Sequence, residues 1–88
     1  MLCTFQCTNY ENSLLFVWIE PICFSEELLL NDSIEVMVKC FNYVDYQLIE
    51  YERDVNQLNI FINNEISTSN IFNIKIIKNS IQIFEIDL

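Results

Sequence analysis

The chain has 88 residues, with thirteen acids against four bases, no histidine and no glycine. That length makes one domain, 1–88, able to bury roughly 60–65% of its unfolded surface without staples. Lacking histidine and glycine, it has no Ser-His or Cys-His pair and no glycine-rich phosphate cradle, and a net charge of −9 argues against direct contact with nucleic acid or an anionic membrane.

The apolar residues are mostly Ile, Leu, Phe and Val, and alanine is absent. Branched and aromatic side chains fit a pleated surface better than a helix. The expectation is an all-β or β-rich fold: a single compact antiparallel β-sandwich or barrel of about six to eight short strands, with little or no helix. Asn31, Asn42, Asn63, Asn64, Asn70 and Asn79 fall between apolar runs and take the turn role glycine would otherwise fill.

In chain order, a first element begins near Thr4. Leu14 to Ile19, LLFVWI, is apolar on both faces and reads as a central or sandwiched strand. Glu20-Pro21 closes it, because the residue before proline is held extended and proline donates nothing to a ladder. Phe24 to Leu30 reads as irregular or extended. Ile34 to Phe41 alternates, with Ile34, Val36, Val38 and Cys40 on one face. NYVD is expected to turn the chain so that Tyr46 to Tyr51 pairs back as the second arm of a hairpin. Leu58, Ile60 and Ile62 line one face of the next strand, and Asn63-Asn64 stands where a hairpin turn would. Ile71 to Ile77 and Ile81 to Ile86 form the last pair, joined around Lys78-Asn79.

Cys3, Cys7, Cys23 and Cys40 lack C-x2-C spacing, and the N-terminal residues show no secretory leader pattern. They read as buried reduced thiols of a cytoplasmic protein, without metal or other cofactor. Trp18 and Phe5, Phe16, Phe61, Phe72 and Phe84 read as core.

Glu50 and Glu52 share a strand face with Asp54 at period two, which could in principle serve acid-base chemistry, but a solvated strand edge accounts for them and no enzyme is expected. Asp45, Tyr46, Glu50, Tyr51, Glu52 and Asp54 combine carboxylates with tyrosines, the make-up of a protein-binding surface. Glu20, Glu26 and Glu27, with Asp32 and Glu35, form a second acidic group upstream.

At FVWIEP the sequence resembles a group of short bacterial all-β proteins in which an apolar strand closes on a Glu-Pro pair. As a small, acidic, cysteine-containing domain without catalytic residues, it is similar in type to the immunity proteins of bacterial toxin systems, including contact-dependent growth inhibition. That resemblance implies stoichiometric neutralisation of a basic, nuclease-like toxin domain by an acidic and aromatic surface. Two alternatives stand beside it: a nucleic-acid mimic that inhibits DNA-binding enzymes, and a structural homo-oligomer assembled through sheet edges.

Overall fold

The computed structural model describes residues 1–42, 48–62 and 70–88. They form eight strands: β1 (Leu2–Thr8), β2 (Leu15–Glu20), β3 (Phe24–Leu28), β4 (Ser33–Cys40), β5 (Ile49–Arg53), β6 (Gln57–Ile62), β7 (Ile71–Lys78) and β8 (Ile81–Asp87). These build two four-stranded sheets, sheet A in the order β1-β4-β7-β8 and sheet B in the order β3-β2-β6-β5. No helix among the described residues is long and apolar enough to cross a membrane.

Period-two patterning places the core. The central strands turn Leu15, Val17 and Ile19 of β2, Ile34, Val36 and Val38 of β4, Leu58 and Ile60 of β6, and Ile74 and Ile76 of β7 into one buried cluster. Each such side chain contributes roughly 1.5–3 kcal/mol on leaving water. The two open sides of the sandwich are closed by ring pairs, Phe5 on Tyr51 at 5.1 Å and Phe24 on Phe84 at 5.0 Å.

Asparagine does replace glycine at turns. Asn31 and Asn79 hold φ of 69° and 52°, and Ser80, beside Asn79 in the β7–β8 hairpin, holds 68°; Cys23 holds 54°, whereas Asn42 and Asn70 are not among the described residues of positive φ, and Asn63 and Asn64 lie outside the described residues. Two consecutive positive φ values match the right-handed strand twist that favours primed hairpin turns. Asn79 Oδ1 accepts from the Ser33 amide at 2.9 Å, and its Nδ2 donates to Asp32 at 2.9 Å. The turn is thereby tied to the start of β4. Asn9 is buried, donates to the carbonyls of Ser13 and Leu28, and accepts from the Glu11 amide, so its whole amide is satisfied where the chain leaves β1.

Several expectations are corrected. The sandwich is not purely antiparallel: β2 runs parallel to β6, with Val17 opposite Leu58 and Ile19 opposite Ile60. Nor do β4 and β5 form a hairpin. β4 lies between β1 and β7 in sheet A, whereas β5 is an edge of sheet B paired to β6. The NYVD turn and Asn63-Asn64 involve residues 43–47 and 63–69, outside the described residues; the strands on either side of Asn63-Asn64, β6 and β7, belong to different sheets and are not hairpin partners. Of the two readings of Phe24 to Leu30, irregular or extended, Phe24 to Leu28 takes the extended one as a regular strand.

The aromatic core is also smaller than expected. Phe5, Phe72 and Phe84 are half-buried, but Phe16, Trp18 and Phe61 are exposed at 47%, 37% and 37%. β2 is central in its sheet, as its composition implies, yet only its aliphatic face is covered. All four cysteines are free, and only Cys40 is fully buried: Cys3 and Cys7 are half-buried, while Cys23 is exposed. Burial pushes the Cys40 thiol pKa up, with nearby Cys3 adding to the effect.

Candidate functional site

The outer face of sheet B follows from strand register. Residues that alternate with the buried aliphatics must point away from sheet A, because successive side chains on a strand take opposite faces. Cross-strand pairing sets them in three rows. Glu27, Phe16 and Gln57 make the first, and Ser25, Trp18, Asn59 and Glu52 the second. Glu20, Phe61 and Glu50 make the third. Each row carries one exposed ring on a central strand and at least one carboxylate, on a neighbouring strand in the first and third rows and two strands away, on β5, in the second.

With strands about 4.8 Å apart and alternate residues about 6.7 Å apart along a strand, Phe16, Trp18 and, diagonally across from it, Phe61 form a strip of neighbouring rings rimmed by acids. No lysine or arginine lies on this face among the described residues. Lys39 and Lys75 lie in sheet A opposite Leu2 and Glu85, Lys78 reaches β3 from the end of β7, and Arg53 alternates to the inner side of β5 opposite buried Leu58.

Glu20 has a defined place in this strip. Its Oε1 accepts from the Trp18 indole N–H, which orients the ring on the sheet surface, and its Oε2 lies 3.6 Å from Cys23 Sγ. The same carboxylate raises the Cys23 thiol pKa, chiefly through its negative charge. Thiolate formation is therefore disfavoured, and a nucleophilic role for Cys23 has no support here.

The upstream and downstream acids separate by face. Glu20, Glu27, Glu50 and Glu52 converge on the outer surface of sheet B although they come from three strands. Glu26 takes the opposite side of β3 and pairs with Lys78 at 3.5 Å, and Asp32 lies 4.0 Å from the same ammonium. Asp54 follows β5 in the exposed β5–β6 turn, its amide bonded to the Gln57 carbonyl at 2.7 Å. Tyr51 alternates to the inner side, where it covers Phe5. Asp45 and Tyr46 lie outside the described residues.

Phe16, Trp18 and Phe61 are the members of this surface that composition assigned to the core. A signal for them was present in β2, where aliphatic Leu15, Val17 and Ile19 occupy one register and aromatic Phe16 and Trp18 the other. A cavity of about 350 Å³ at one end of the sandwich is lined by Pro21, Ile22, Ile62, Ile71, Ile74, Ile86 and Leu88. Every lining side chain is apolar, so it offers no group for acid-base or nucleophilic chemistry.

No protein family, curated protein or solved structure matches this chain.

Proposed function

We propose that the chain is a stoichiometric inhibitor of the immunity type, which binds a basic bacterial toxin domain with the outer face of sheet B and covers that domain's active site. One observation carries the reading: three exposed rings lie within a rim of Glu20, Glu27, Glu50 and Glu52, and no described cation shares the face. Trp18 and Phe61 supply rigid apolar contact area at low entropic cost. The carboxylates supply steering toward a cationic surface and exclude acidic competitors. Fast capture and slow release then have separate sources, charge for the first and ring burial for the second.

The test is a pull-down from the native cells, or with the product of the preceding gene, repeated across a salt series. Capture of one basic protein, weakened by salt and by the double change Glu50→Lys with Glu52→Lys, is expected. Retention of several unrelated DNA-binding proteins would favour nucleic-acid mimicry instead. Capture insensitive to both salt and the double change would remove sheet B from the interaction.

A further inference from the structure

The edge of β1 carries a second interaction surface, separate from the outer face of sheet B. Met1 and Cys40 exchange both backbone hydrogen bonds, at 2.7 and 2.8 Å. In an antiparallel ladder such pairs alternate with pairs that exchange none. Cys3, Phe5 and Cys7 therefore bond to β4 opposite Val38, Val36 and Ile34. Leu2, Thr4, Gln6 and Thr8 direct their N–H and C=O groups away from the sheet, where the one described contact is weak, Cys7 Sγ donating to the Thr8 carbonyl at 3.9 Å.

Free edges invite pairing, and proteins blunt them with charges, bulges or proline. Three of the four edges here are blunted. β3 carries Glu26 and Glu27, and β5 carries Glu50, Glu52 and Arg53. β8 carries Glu85 and Asp87, with a register shift opposite Ile76 and Ile77. β1, LCTFQCT, has no charge, no proline and an unbroken seven-residue register.

We infer that this edge pairs with β1 of a second copy, antiparallel about a two-fold axis at Phe5, joining the two A sheets into one continuous sheet. Each copy carries a net charge of −9. Two copies repel each other, and β1 is the one sheet edge that adds no charged side chain to that repulsion.

The register is consistent with the free groups. With Phe5 opposite its own copy, Thr4 meets Gln6 and Leu2 meets Thr8, and these are the residues whose backbone groups point outward. About eight new backbone hydrogen bonds result. Phe5 lies against Tyr51, which is 56% exposed on this side of the sandwich, so pairing also covers a ring pair that the monomer leaves half open. Glu50 and Glu52 turn to the outer face of sheet B and do not enter the seam.

Sedimentation equilibrium across protein and salt concentration tests this. The expected mass is twice 10.5 kDa, with association strengthened by added salt because screening relieves like-charge repulsion. Binding of a basic partner has the opposite salt dependence, so the two surfaces are distinguishable. Thr4→Pro removes only an outward N–H and is expected to return the mass to 10.5 kDa with an unchanged circular dichroism spectrum. If that variant does not fold, Thr4→Glu with Gln6→Glu is read in its place, with the same expected loss of dimer. A monomeric mass for the native chain under all conditions, or a dimer that survives in the folded variant, would overturn the inference.

Discussion

The outer faces of the two sheets are built on the same strand geometry and differ in how their polar groups are used. On sheet A, Asn73 is 95% buried by its 5% exposure and donates to Glu85 at 2.9 Å and Asp87 at 2.7 Å, while Lys75 lies 3.8 Å from Glu85. Donors and acids there largely answer one another, although Asn73 Oδ1 has no hydrogen-bond partner among the described residues. On the outer face of sheet B no described cation lies beside the acids, Lys78 meeting Glu26 on the other side of β3, and the rings are open. A face that has neutralised itself has little to offer a partner. One with a single sign of charge around exposed rings retains both its field and its apolar surface for association.

Two adjacent residues of β2 give the largest contrast. Ile19→Ala removes a fully buried side chain and is expected to lower unfolding stability by about 2–5 kcal/mol in urea titrations. Trp18→Ala, one position earlier, is expected to cost less than about 1 kcal/mol of stability and to weaken partner binding by roughly thirtyfold or more. Large destabilisation by Trp18→Ala with unchanged binding would make its ring part of the fold and end the comparison.

On sheet A the effect reverses. Asn73→Ala withdraws the donor held between Glu85 and Asp87, and a loss of about 1–3 kcal/mol in stability is expected with partner affinity unchanged. Calorimetric titration beside denaturant unfolding separates the two quantities. Equal losses of affinity from Asn73→Ala and Trp18→Ala would show that the faces are not functionally distinct.

The smallest effect is in acid. Hydrogen bonding from Asn79, then from the Leu29 amide, lowers the Asp32 pKa, and the Asn73 amide is the first cause of a lowered Glu85 pKa. Groups with depressed folded-state values contribute stability that is present above their unfolded values and lost as pH falls through the folded ones. Urea midpoints should therefore decline below the ordinary carboxylate range of about pH 4. Asn73→Ala and Asn79→Ala should each flatten that decline; the native slope in both variants would assign the acid sensitivity to other groups.

Much of the strand content was legible because its signal is local. Alternation in IEVMVKCF sends Ile34, Val36, Val38 and Cys40 inward, as observed, and Leu58, Ile60 and Ile62 behave the same way. Glu20 does end β2. Less of the site was legible. Glu50 and Glu52 were visible as a shared strand face, but Tyr51 belonged by the same alternation to the other side. The rings that accompany these acids come from β2 and β6, far away in sequence from β5 in the first case.

By itself the sequence determined an all-β chain with strong negative charge, inward aliphatic faces and turns made by asparagine, since each follows from residue chemistry within a few positions. Only the tertiary structure decided that β4 and β5 belong to different sheets, that β2 lies parallel to β6, and that Phe16, Trp18 and Phe61 have no third layer above them. Strand partners are chosen by which long-range pairing buries the aliphatic faces together after loop closure is met. A period of two separates the faces of a strand but does not say which face another layer will cover.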